Sequence, residues 1–85
     1  MNILFVCKHN RFRSKVAEAI FKKLNKNKSL NIKSAGISLD LLRPYIAENI
    51  KKVLFNKGIK HLDEIPRQIN EFDVKWADKI IIVSN

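Results

Sequence analysis

Two apolar tetrads stand near the ends of this chain, Ile3-Leu4-Phe5-Val6 and Ile80-Ile81-Ile82-Val83. Neither alternates polar with apolar residues. A strand with one wet face alternates with period two, whereas a strand of a parallel sheet is covered on both faces and reads as an unbroken apolar run. Parallel strands cannot be joined by hairpins, so crossovers, usually helical, must lie between them. Ser14 opens such a segment. Val16, Ala17, Ala19, Ile20, Phe21 and Leu24 recur at helical spacing, while Lys15, Glu18, Lys22, Lys23 and Lys26 fall mostly on the other side. The pattern frays into residues 25–28.

Ile32-Lys33-Ser34-Ala35 reads as a second short strand ended by Gly36. Residues 37–43 form a loop with apolar anchors at Leu39, Leu41 and Leu42. Pro44 suits the first position of a helix, where its missing N–H costs nothing. That helix runs to Asn56 or Lys57, with Ile46, Ile50, Val53 and Leu54 as its stripe and Gly58 as its C′ residue. Residues 59–64 connect, and Pro66 bars a helix interior there. Residues 71–78 read as a short helix with Phe72 and Trp76 inward. The last tetrad is then a third buried strand. The order β-α-β-α-(α)-β predicts an α/β fold, a parallel sheet flanked by helices.

The 85 residues hold one domain, 1–85. They end directly after a strand of central type. The expectation is therefore a C-terminally incomplete layer: a truncated product, or a half-domain completed by another chain. An uncovered face would favour self-association. No apolar run approaches the 18 or so residues of a membrane span, and no signal-peptide pattern precedes the first tetrad. The one cysteine, Cys7, cannot form an internal disulfide or anchor a zinc cluster, so no metal or cofactor is called for and a cytoplasmic location is the default. Seventeen Lys and Arg against eight Asp and Glu give a net charge of +9. Up to Ala35 there are nine basic residues and one acid, Glu18. Such a surface attracts anions, although charge alone selects no function. No aromatic-plus-basic platform supports a nucleic-acid binder.

Chemistry concentrates in Cys7-Lys8-His9-Asn10-Arg11-Phe12-Arg13-Ser14, between the first strand and the first helix. Backbone N–H groups of such a loop and of the first helical turn can converge on one tetrahedral oxyanion, an inorganic oxyanion included. The candidate phosphate-binding residues are Lys8, His9, Asn10, Arg11, Phe12 and Arg13. A helix start lowers the pKa of a nearby thiol, which makes Cys7 a candidate nucleophile. Arg13 can grip two oxygens and neutralise charge on a transferring phosphoryl group. Ser14 can donate to the thiolate. Asn10 tolerates left-handed backbone angles.

This stretch resembles the low-molecular-weight protein tyrosine phosphatase superfamily, which includes thioredoxin-coupled arsenate reductases. Their pattern is V-C-x-G-N-x-C-R-S followed by x-x-A-E-A. Ser34-Ala35-Gly36, Gly58-Ile59, Pro66-Arg67-Gln68 and Ala77-Asp78 before the last tetrad also resemble family segments. The resemblance implies Cys7 as nucleophile, Arg13 as phosphate-binding arginine, Ser14 as thiolate stabiliser and Asn10 as loop organiser. It implies a two-step hydrolysis through a cysteinyl-phosphate. The partner would be a phosphorylated small molecule or a phosphotyrosine protein.

His9 stands where the family has glycine, and Phe12 replaces the second loop cysteine; it could wall a substrate ring or anchor the core. Relatives carry their general acid, an Asp-Pro aspartate, beyond the last tetrad. Of Asp40, Asp63, Asp73 and Asp78, none precedes proline. Asp40 is the best local substitute acid, Asp73 and Asp78 flank a helix, and Asp63 lies in a surface turn. The 85-residue chain is therefore expected to be a weak phosphatase. The alternatives are an arsenate reductase relative, which would need further cysteines, or a non-catalytic phosphate- or phosphoprotein-binding module.

Overall fold

A computed structural model describes residues 1–11, 13–25, 29–42, 48–59 and 65–83. Strand β1 (Asn2–Cys7) is followed by α1 (Arg13–Leu24), β2 (Asn31–Gly36), α2 (Glu48–Asn56), α3 (Glu71–Trp76) and β3 (Lys79–Ile82). The sheet order is β2-β1-β3 with both pairings parallel. Cys7 is paired with Gly36 at the C-terminal end of the β1–β2 ladder. The loop after β1 and the segment after β2 therefore leave the sheet side by side.

β1 is buried from Ile3 to Cys7 because strands flank it and residues pack on both faces. On one face Ile3, Phe5 and Ile32 pack with Ala17, Phe21 and Leu30. On the other Leu4, Val6 and Ala35 meet Ile69, Trp76 and Ala77. A third cluster joins Ala19 of α1 to Ile50 and Leu54 of α2. Helix α2 ends as its glycine dictates. Gly58 takes φ 84°, its N–H donates to Phe55 O at 3.0 Å, and Ile59 N–H donates to Leu54 O at 2.9 Å. This 6→1 and 5→2 pair satisfies the last carbonyls, and Ile59 packs back on the Leu54 cluster.

Four expectations need correction. β3 is not buried: Ile80, Ile81 and Ile82 are 41%, 40% and 62% exposed. It lies at one edge of the sheet, while α1 packs over β1 and β2. Phe72 points outward at 79% exposure, because Asp73 takes the inward position one residue later. Val53 of α2 and Ile20 and Leu24 of α1 are likewise exposed, whereas Lys15 and Glu18 are buried. Leu41 and Leu42 are exposed rather than anchoring, at a turn where the Leu42 N–H donates to Asp40 Oδ1 at 3.1 Å. The expectations for Phe12, residues 26–28, Pro44, Ile46, residues 60–64 with Asp63, and the final two residues lie outside the described residues.

Candidate active site

The loop from Cys7 to α1 closes around the cysteine sulfur. Ser14 Oγ lies 2.9 Å from Cys7 Sγ, and the Asn10 N–H donates to the same sulfur at 3.2 Å. Burial raises the Cys7 pKa, but the Ser14 hydroxyl and the backbone N–H groups of Ser14, Asn10 and His9 outweigh it. The thiol is held below its ordinary value. Reaching this geometry requires a sharp reversal of the chain. Asn10 supplies it with φ 55°, as its side-chain chemistry allows.

Asn10 is fully buried and ties the loop to three other segments. Its Nδ2 donates to Ser14 Oγ at 2.7 Å and to Ser34 Oγ of β2 at 3.0 Å. Its Oδ1 accepts from the Arg67 N–H at 2.8 Å. Ser34 Oγ in turn donates to Glu18 Oε1 of α1. The Arg67 guanidinium donates to Ser34 O at 3.0 Å and to Asp73 Oδ1 at 2.7 Å. A cavity of about 350 Å³ at this side of β2 is lined by Glu18, Lys22, Ile32, Lys33, Ser34 and Arg67.

The close approach of loop and strand depends on Gly36. A Cβ there would meet Asn10 N and His9 C at 2.7 Å and Lys8 O at 3.0 Å, all backbone atoms. The Ile37 N–H donates to Cys7 O at 2.9 Å and the Ser38 N–H to Lys8 O at 2.9 Å. His9 Nδ1 lies 2.8 Å from Ser38 O.

Of the residues read from the sequence, Cys7, Asn10 and Ser14 are thus brought together and buried. Lys8 and Arg13 are exposed, and His9 and Arg11 are half-buried, all on the same loop or its helix start. Phe12 lies outside the described residues. Asp40 is half-buried beyond Ser38, with its carboxylate accepting from the Leu42 N–H. Asp73 receives Arg67 and caps α3, and Asp78 Oδ2 accepts from the Asn2 N–H at 2.7 Å. Ser34 and Gly36 are legible in the sequence as a strand and its end, Arg67 as part of a family-like segment, and Glu18 as a residue off the apolar side of its helix. Their part in holding the loop depends on the β1–β2 register and on the return of the chain at Arg67. No spacing in the sequence encodes either. Among the described residues no three His, Cys, Asp or Glu side chains are grouped to hold a metal, and no helix is long and apolar enough to cross a membrane.

These features define a parallel α/β protein whose one cysteine ends the central strand, beneath a loop that enters a helix. The chain belongs to the low molecular weight phosphotyrosine protein phosphatase family, whose model matches residues 2–85. It is 36% identical over 85 residues to the low molecular weight protein-tyrosine-phosphatase YfkJ of Bacillus subtilis, covering 95% of this chain and 54% of that protein. The crystal structure of a low molecular weight protein tyrosine phosphatase from T. tengcongensis superposes with a TM-score of 0.84 at 34% identity, covering 96% of this chain and 57% of that one. A thioredoxin-dependent arsenate reductase from Corynebacterium glutamicum gives 0.83 at 25% identity, covering 95% and 39%. The chain spans about half the length of the curated relative it matches.

Proposed function

We propose that this chain is a protein tyrosine phosphatase-like phosphomonoester hydrolase that works through a cysteinyl-phosphate. The observation that supports this most is the pair of donors, Ser14 Oγ and the Asn10 N–H, aimed at a Cys7 sulfur whose pKa is lowered. In the first step the Cys7 thiolate attacks phosphorus and the bond to the leaving oxygen breaks. Backbone N–H groups of residues 8–13 and the Arg13 guanidinium neutralise the equatorial oxygens, and Ser14 later stabilises Cys7 as leaving group. Water then attacks the cysteinyl-phosphate, releasing phosphate and the thiolate. Lys8, His9, Arg11 and Phe12 complete the phosphate-binding loop in this reading. The substrate is a phosphorylated small molecule or a phosphotyrosine protein, and arsenate is an alternative oxyanion for the same cradle.

Protonation of the leaving group is the weak step of the 85-residue chain. Among the described residues Asp73 and Asp78 are engaged in holding α3 and β1. Among the described aspartates Asp40, which accepts from the Leu42 N–H, is the local candidate, on the loop that leaves β2. General acid assistance is worth about 10²–10⁴-fold. The test compares para-nitrophenyl phosphate with an aryl phosphate of poorer leaving group. The rate should fall steeply on the poorer one, and Cys7→Ser should abolish both activities. Hydrolysis that survives Cys7→Ser would sink the covalent route. A shallow dependence lost in Asp40→Asn would assign Asp40 as the acid.

A further inference from the structure

The hydrogen bonds behind Cys7 form a chain whose direction is forced from both ends. The Arg67 backbone N–H can only donate, and it meets Asn10 Oδ1 at 2.8 Å. The amide nitrogen therefore faces the two serines. At the far end the Glu18 carboxylate, bridged to Lys22 Nζ at 2.6 Å, can only accept, and Ser34 Oγ donates to it. Ser34 has then used its proton and accepts from Asn10 Nδ2 at 3.0 Å. The second Nδ2 hydrogen goes to Ser14 Oγ at 2.7 Å, which leaves the Ser14 proton for Cys7 Sγ at 2.9 Å. With the amide turned over, Oδ1 would face both hydroxyls. Ser14 would then donate to Oδ1 and turn away from the sulfur. Both ends oppose that state, Arg67 by an N–H facing an NH₂ group and Glu18 by holding the Ser34 proton.

We propose that Glu18 is a positioning residue for the Cys7 chemistry: through Ser34 and Asn10 it sets the direction in which Ser14 presents its proton to the sulfur. This rests on reading Cys7 as a nucleophilic thiolate. Glu18 is 6% exposed, and Ser34 and Asn10 are 2% and 0% exposed, so water does not compete for these bonds. A second carboxylate function would have the opposite sign. A negative charge acting through space raises a neighbouring thiol's pKa, whereas the relay lowers it. The charged groups around the chain are Lys15 and Lys22 on α1, Lys33 on β2, and Arg67 with its partner Asp73. On the loop they are Lys8, Arg11 and Arg13, beside the titratable His9.

The pH dependence of Cys7 alkylation by iodoacetamide separates these roles in the wild type, Glu18→Leu, Glu18→Gln and Ser34→Ala, with circular dichroism as the check on folding. Loss of one ordinary hydrogen bond should raise the midpoint by about half a unit to one unit in Glu18→Leu and Ser34→Ala. Glu18→Gln keeps an acceptor oxygen and should move it less. A lowered midpoint in Glu18→Leu would mean a through-space charge, and an unmoved one a packing role; either overturns the relay. If Glu18→Leu does not fold, an unmoved midpoint in Ser34→Ala overturns it instead. A wild-type midpoint at or above about 8.5 would overturn the thiolate reading and the relay with it. A low wild-type midpoint with unmoved variants removes the relay alone.

Discussion

Cys7 is 8% exposed, yet Ser14 Oγ and the Asn10 N–H both meet its sulfur, so burial and hydrogen bonding pull its ionisation in opposite directions. Hydrogen bonding wins, and the folded pKa lies below that of the unfolded chain. The unfolded state therefore binds more protons between the two values, and stability rises with pH across that window. The contribution is complete above the unfolded value of about 8.5 and is lost as pH falls through the lowered folded value. Urea denaturation of the wild type and Cys7→Ser between pH 6 and 9 checks this. The wild type should gain stability relative to the variant as pH rises. A constant difference would mean that the folded thiol is not depressed. At the same scale Gly36 matters through what it lacks, since any side chain would strike the backbone of His9 and Asn10.

Among the elements, α2 and α3 differ in how they are set. The end of α2 was legible because Gly58 needs no partner to adopt a positive φ. α3 is six residues long and is held by polar contacts at its start. Asn70 Oδ1 accepts from the Asp73 N–H at 2.9 Å and Asp73 Oδ2 from the Asn70 N–H at 3.1 Å. Asp73 Oδ1 also receives Arg67 at 2.7 Å, with the carboxylate side chain only 4% exposed. This one residue caps the helix and anchors the segment whose N–H orients Asn10. Asp73→Ala should destabilise the fold by about 1–3 kcal/mol, read from the urea midpoint. It should also broaden the Arg67 amide signal by NMR. A loss confined to a few tenths would show that the cap acts alone.

On the scale of the whole molecule, the loop proposed to hold phosphate draws on β1, α1, β2 and the Arg67 segment, so occupying it should stabilise all of them together. Phosphate at a hundredfold its dissociation constant adds about 2.7 kcal/mol. A domain of this size gains roughly 4–8 °C in Tm per kcal/mol. Thermal unfolding with and without phosphate should show an upward shift of this order, and Arg13→Lys should lose most of it. Lysine keeps the charge but not the two-pronged grip. An equal shift in Arg13→Lys would mean that the +9 surface binds phosphate diffusely. The same scale explains β3. Its Ile80, Ile81 and Ile82 side chains are apolar like those of β1, but they stand at the sheet edge and are 40–62% exposed.

The sequence by itself determined the parallel α/β order and the loop that carries Cys7, Asn10 and Ser14. Strand runs, a glycine cap and a left-handed asparagine are local properties, decided by backbone sterics and side-chain chemistry within a few residues. Only the tertiary structure decided which strand sits centrally, and hence that β1 is buried and β3 exposed. It also decided that Lys15 and Glu18 face inward on a helix whose apolar Ile20 and Leu24 face out. For Glu18 the reason is a polar network with Ser34 that replaces apolar packing between α1 and β2. Glu18 is buried because Ser34 donates to it across 16 residues, and Asn10 is oriented by an N–H 57 residues away. Hydrogen bonds at such separations depend on strand register and on where the chain returns, and neither leaves a periodic mark in the sequence.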